Sequence, residues 1–370
     1  MKTFDIPGPL QYNPTIKLSQ NTDRMEQDFM RCNYFLGNHT FQVKQEAVPT
    51  PEDDQVLVKV MACGICGTDV HICNGEEGSA QVTPPVVLGH EFAGIVEAVG
   101  KGVTTLRVGD RVAIDPNIYC GTCRPCRMGK KQNCRNLRAL GVTRNGGFQE
   151  YALCPEQQCF KMSDKVGFDV LAMTEPLACV LHGIDQANIR TGQTVLVIGG
   201  GTIGQMMLQM AKKSGASTVI LSEPIPSRRE IALGLGADFA IDPIHENLNQ
   251  RLGQITEDGA DVIIECVGKP FTVEQAISAA APGTTIVLFG VPAPNATVPL
   301  PLFDVYKKEL KIVGSMINPD THQRAANLIN SGALQLEALI THAFPLEQLD
   351  KAIQMQMSSE SIKVVLHPQE

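Results

Sequence analysis

Two rhythms of apolar and polar positions divide the chain. Between about Gln55 and Leu153, short β-branched and apolar runs alternate with glycine and acidic punctuation, as in Val56-Leu57-Val58-Lys59-Val60, Phe92-Ala93-Gly94-Ile95-Val96 and Arg111-Val112-Ala113-Ile114. Runs this short, set between turn residues, predict strands. The half that holds them reads as a β barrel decorated with loops. From Gln193 the rhythm changes. Thr194–Ile198, Thr218–Ser222 and the stretches 238–241, 262–265, 284–289 and 310–314 read as six strands, with apolar segments of helical length between them. Strands alternating with helices predict a parallel, doubly wound sheet, so the fold class is α/β. A helical stretch over 322–331 and a short strand near 362–366 then return to the first domain. Residues 1–29 are polar without clear period and read as an extension of unassigned role. The expected domains are 30–185 together with 318–370, and 186–317.

Composition narrows the function classes. The 370 residues exceed one ordinary core, and 43% hydrophobic with 19% charged content describes a globular chain. No run of 18 apolar residues appears, so no membrane span is expected. The first residues lack the basic-then-apolar layout of a secretory signal, and a cytoplasmic enzyme is expected. A net charge of −8 gives no basic footprint for nucleic acid. Twelve cysteines in a reducing compartment are metal ligands or apolar packing sooner than disulfides.

Three motifs carry chemistry. The strand Thr194–Ile198 runs into Gly199-Gly200-Gly201-Thr202-Ile203-Gly204 and then an apolar helix. Gly199, Gly201 and Gly204 suit a tight turn, a bare backbone beside a pyrophosphate and close helix packing, and the helix N-terminus offers its amides to phosphate. Glu223, nineteen residues after Gly204, stands where a carboxylate takes the ribose hydroxyls of NAD and repels the extra phosphate of NADP. Arg228 and Arg229 close behind serve that phosphate, flank the adenine or sit in solvent. Cys120, Cys123, Cys126 and Cys134 have C-x2-C-x2-C-x7-C spacing. Four thiolates on one ion leave no open position, which points to a structural zinc, with an iron–sulfur cluster as the other use of such spacing. Finally, Cys66 in Cys63-Gly64-Ile65-Cys66-Gly67-Thr68-Asp69-Val70-His71, with Gly89-His90-Glu91, supplies a thiolate, an imidazole and a carboxylate that can hold zinc with one position open.

Together these motifs resemble the zinc-dependent medium-chain alcohol and polyol dehydrogenases, over about residues 33–368 and in the family's order. The resemblance implies a GroES-like β-barrel catalytic domain beside a Rossmann domain, one catalytic and one structural zinc, and a homodimer or homotetramer. Cys66 and His90 become zinc ligands, and Glu91 the carboxylate that ligates directly or steps in and out of the shell. Glu175, in Thr174-Glu175-Pro176-Leu177, becomes a further ligand or the holder of a water, with Cys179 as its competitor. Thr68 accepts the alcohol proton and His71 passes it toward bulk water. Asp69 orients His90 or caps a turn. The Glu-Pro pair is that of the branch resembling sorbitol, threonine and butanediol dehydrogenases. The expected reaction moves a hydride between a secondary alcohol, a sugar alcohol or vicinal diol, and NAD(P), giving the ketone. L-Threonine is the runner-up substrate. A non-catalytic NAD- and zinc-binding protein and a zinc-free reductase of the same fold are the other classes, and the intact ligand set argues against both.

Overall fold

The structure, a computed structural model, describes residues 29–76 and 80–370. All of the expected extension except Phe29 lies outside the described residues.

All six strands expected after Gln193 form one parallel sheet, in the spatial order Phe239–Ile241, Thr218–Ser222, Thr194–Ile198, Ala260–Glu265, Ala280–Leu288, Lys311–Gly314. Val195, Leu196, Val197, Val219, Ile220, Leu221, Ile263 and Ile264 are fully buried. Strands apolar on both faces must be covered on both sides, and the crossover helices do this. The strand order reverses between Thr194–Ile198 and Ala260–Glu265, which opens a crevice at their carboxyl ends, the place where doubly wound sheets bind ligands. Helix Thr202–Lys213 starts at that crevice. It buries Met206, Met207, Leu208, Met210 and Ala211, and Lys212 and Lys213 in its last turn complement the helix dipole.

In the other half, the run predicted at 56–60 extends to Gln55–Gly64 and pairs with Glu91–Val99, Tyr151–Pro155 and the C-terminal strand Lys363–His367. Register shifts at Leu57/Val58 and Val60/Ala62 bend it, as bulges do at barrel corners. Arg111–Ile114 joins on the far side of Glu91–Val99. A separate sheet of Phe29–Gly37, Thr40–Ala47 and Val86–Val87 is an addition to the sequence-based expectation. Thr40–Ala47 buries none of its residues, so it has no apolar alternation by which a strand is recognised.

Helix Thr174–Ala187 joins the halves. Its Leu177, Ala178, Val180 and Leu181 share one apolar cluster with Ala62, Ala93 and Ala113 from the barrel strands and Val195 and Val197 from the parallel sheet.

Candidate active site

Strand register builds the first cluster. Gly64 pairs with Glu91 and Cys63 with Phe92, so the end of Gln55–Gly64 lies beside the start of Glu91–Val99. Cys66 then caps helix Gly67–Cys73, where its backbone N–H donates to Asp69 Oδ2 at 2.9 Å. The ligand atoms of Cys66, His90 and Glu91 all come within 4.8 Å of one another. Gly64 lets the pair approach closely, because a Cβ there would stand 2.2 Å from Glu91 Oε2 and displace that carboxylate. Burial would lower the His90 imidazole pKa, but Asp69 and Cys66 outweigh it and raise it well above the usual value. His90 Nδ1 and Asp69 Oδ1 stand 3.6 Å apart, and each is buried without a hydrogen bond.

Glu175 lies in the first turn of helix Thr174–Ala187 and is buried. It falls outside the 4.8 Å group. Burial pushes its carboxyl up to about 7, against the pull of nearby His90, and Cys179 Sγ donates to its Oε1 at 3.3 Å. Thr68 and His71 share one face of Gly67–Cys73. His71 Nδ1 contacts the Glu76 carboxylate. A buried lysine, unforeseen in the sequence, completes the cluster. Lys363 Nζ donates to Glu91 Oε2 and, at 2.9 Å, to the Ile65 carbonyl.

In the second cluster the Sγ atoms of Cys120, Cys123, Cys126 and Cys134 also lie within 4.8 Å of one another. Backbone N–H groups of Cys120 and Cys123 donate to Cys134 and Cys120 sulfurs at 3.4 Å each. The amide of Cys123 is the main reason the Cys120 thiol is lowered to about 5. Both clusters fit zinc by donor type: sulfur alone in one, sulfur with nitrogen and oxygen in the other.

The glycine turn has the shape a pyrophosphate needs. Gly199 is at φ +97°, and a Cβ on Gly204 would sit 1.8 Å from the Gly199 carbonyl oxygen. Nothing lies within 4 Å of where a Cβ would be on Gly201, which caps the helix begun by Thr202 and Ile203. Glu223 is buried behind the turn, accepting from Gly200 N at 2.6 Å and Ile225 N at 2.8 Å. Arg228 sends Nη2 to the Ser361 carbonyl at 2.6 Å, and Arg229 spends its guanidinium on the Glu223 and Pro224 carbonyls and on Asp242.

Comparisons with known proteins meet this geometry. Residues 52–164 match the alcohol dehydrogenase GroES-like domain, and residues 202–331 the zinc-binding dehydrogenase domain. The chain is 36% identical over 332 residues to an L-threonine 3-dehydrogenase of Caldanaerobacter subterraneus subsp. tengcongensis, covering 88% of this chain and 94% of that one. To a sorbitol dehydrogenase of Bacillus subtilis it is 32% identical over 338 residues, covering 90% and 96%. A zinc-binding dehydrogenase from Sinorhizobium meliloti 1021 bound to NADP superposes with a TM-score of 0.89 at 39% identity, over 92% of this chain and all of that one. The chain belongs to the zinc-dependent medium-chain alcohol and polyol dehydrogenases. It is an oxidoreductase that uses zinc and a nicotinamide cofactor on a small-molecule alcohol.

In this dehydrogenase a cavity of about 470 Å³ opens at the carboxyl ends of Ala260–Glu265, Ala280–Leu288 and Lys311–Gly314. Gln132 and Asn133 from the cysteine loop and His182 and Gln186 from helix Thr174–Ala187 close its other walls. At its floor Glu265 is fully buried, and its carboxylate accepts from Val267 N and Gly268 N. Sequence reasoning missed Lys363 and Glu265 for one reason. A polar side chain becomes informative only when its burial and partner are known, and Lys363 meets Glu91 across 272 positions.

Proposed function

We propose that the enzyme oxidises the secondary alcohol of a sugar alcohol or vicinal diol to a ketone, with NAD as acceptor. The convergence of Cys66, His90 and Glu91 carries this reading. In it these three hold the catalytic zinc, while Cys120, Cys123, Cys126 and Cys134 hold a structural one. Zinc held there would supply the Lewis acidity that lowers the pKa of an alcohol, and a nicotinamide would supply the hydride acceptor.

The chain's own groups do the rest. Glu175, pushed up to about 7 by burial, is a carboxyl able to ligate or to hold and release a proton at the metal's edge. The Thr68 hydroxyl takes the substrate proton. His71 receives it at Nε2, because Nδ1 faces Glu76, and half-exposed His71 releases it to water. The turn from Gly199 to Gly204 seats the pyrophosphate against the amides at Thr202 and Ile203. Glu223 receives the ribose hydroxyls. The preference for NAD is supported by that carboxylate and by Arg228 Nη2 and Arg229 Nη1, which donate to backbone carbonyls. The Sinorhizobium meliloti neighbour holds NADP, so both cofactors belong in the test.

The test follows reduced-cofactor absorbance with NAD and NADP against sorbitol, xylitol, galactitol, 2,3-butanediol and L-threonine. NAD reduction by a polyol or diol is expected. Turnover of threonine alone moves the enzyme to the other substrate class, and silence toward all five rejects the reading.

A further inference from the structure

The helix that carries Thr68 and His71 ends in a way that brings a further residue to them. Helix Gly67–Cys73 stops with Glu76 N donating to the His71 carbonyl at 2.9 Å and Gly75 N donating to the Ile72 carbonyl at 3.0 Å. Nested bonds from the sixth residue to the first and from the fifth to the second form a Schellman motif, whose fifth residue is left-handed. Gly75, at φ +80°, is that residue. The motif folds its sixth residue back beside its first, and the contact that accompanies it is commonly apolar. Here the contact is polar, because the Glu76 carboxylate meets His71 Nδ1.

We propose that Glu76 is a positioning residue for the proton relay, holding the His71 ring in its Nδ1–H tautomer with Nε2 open to the arriving proton. The inference rests on the relay reading of His71 above and adds what fixes its ring. An ionised carboxylate only accepts hydrogen bonds, so the hydrogen of a neutral His71 sits on Nδ1 and the lone pair on Nε2. A proton that leaves Thr68 bonds to Nε2, makes the ring an imidazolium, and departs from Nε2 to water. The Nδ1 hydrogen and the Glu76 carboxylate stay as they were throughout.

An exposed pair is ordinarily worth little, because two free side chains must be ordered to make it. The His71 and Glu76 side chains are 33% and 36% exposed. The helix stop removes part of the ordering cost, since its backbone bonds already hold the two residues together. Exposure is also what the last station of a relay requires, for its ring must reach solvent. Thr68 stands at i−3 from His71 on the same face, so Thr68, His71 and Glu76 follow one another from the Cys66 end of the helix to its stop.

The zinc-loaded enzyme with isotope-labelled histidine tests this first without substrate. Ring-nitrogen NMR, with the His71 signals identified by their loss in His71→Gln, is expected to show the Nδ1–H tautomer in the wild type and its loss in Glu76→Leu. Single-turnover NADH formation from sorbitol and from 2,3-butanediol, in dilute buffer, is the second readout. Glu76→Leu is expected to slow it about tenfold, one lost hydrogen bond to a charged group, with the Kd for NADH within about twofold of the wild type. Added imidazole, which carries the proton in place of the ring, should restore the rate in Glu76→Leu and in His71→Gln. The double variant should be no slower than His71→Gln, because both changes break one path. A wild-type His71 in the Nε2–H form overturns the proposal, as does a Glu76→Leu enzyme at the wild-type rate beside a slow His71→Gln enzyme. Losses that multiply in the double variant place the action of Glu76 elsewhere and overturn it too. A His71→Gln enzyme at the wild-type rate rejects the relay reading itself, and the inference with it.

Discussion

At the residue scale the site is held by ion pairs and by buried acids. Lys363 and Glu91 are each at most 3% exposed, so each charge depends on the other. Replacing such a pair with apolar groups is often neutral, whereas removing one partner strands the other. In the zinc-free protein Lys363→Met is therefore expected to lower unfolding stability by about 3–5 kcal/mol, measured by urea titration, and adding Glu91→Gln is expected to restore part of the loss. Equal stability of wild type and the single variant would show that the pair is not buried as drawn. Asp115 is the second case. It accepts from Asn117 N at 3.0 Å, yet burial outweighs that bond and raises its carboxyl to about 7. The unfolded chain ionises Asp115 near 3.8. As pH rises from about 4 to 7 the unfolded state loses this proton while the folded state keeps it, so stability falls through that window. Melting temperatures of Asp115→Asn against wild type should diverge in the variant's favour from pH 5 to pH 8. A constant difference would contradict the burial argument.

At the scale of elements, the glycine turn shows how little freedom the backbone retains. Gly204 has the Gly199 carbonyl oxygen 1.8 Å from any Cβ it might carry, so Gly204→Ala must move the helix start that faces the crevice. Loss of NADH binding by at least tenfold, with the far-ultraviolet spectrum retained, is the expected outcome of a fluorescence titration. Undiminished binding would show that the turn does not seat the pyrophosphate. This turn was legible in the sequence because its requirements are local: a strand, three glycines and a helix in succession. The same holds for the four-cysteine loop, whose ligands lie within fifteen positions. Thr40–Ala47 and Phe29–Gly37 were not legible. The first is exposed along its length, and the second has Met30, Cys32, Asn33 and Phe35 buried without a clean alternation.

At the scale of the molecule, the two domains are bolted together by contacts between residues far apart in the chain. Thr202 Oγ1 donates to the Ile362 carbonyl at 2.6 Å, and Arg228 reaches Ser361 from the next helix. Within the first domain, helix His322–Asn330 of the returning segment docks on Thr174–Ala187 through the Arg324–Asp185 pair and through Thr321 Oγ1 to the Ala178 carbonyl. The sequence pattern announced the return of the chain after Gly314, but not what the return accomplishes. Lys363–His367 comes back to pair beside Gly64 and Cys63, and so delivers Lys363 to Glu91. Arg228 shows the same limit. Its proximity to Glu223 in sequence suggested a cofactor contact but gave no sign that its Nη2 also reaches the returning segment at Ser361. Long-range partners of this kind are fixed by packing, and no local spacing encodes them.

Zinc content with and without each cluster tests the central claim most directly. Metal per chain, melting temperature and turnover would be measured together for wild type, Cys66→Ser and Cys123→Ser. The account predicts two zinc ions in the wild type. Cys66→Ser should keep one, melt near the wild type and lose turnover. Cys123→Ser should lose stability along with its ion, because thiolate-only zinc contributes folding free energy. A folded Cys66→Ser enzyme with two zinc ions and an undiminished rate would contradict the account at its centre.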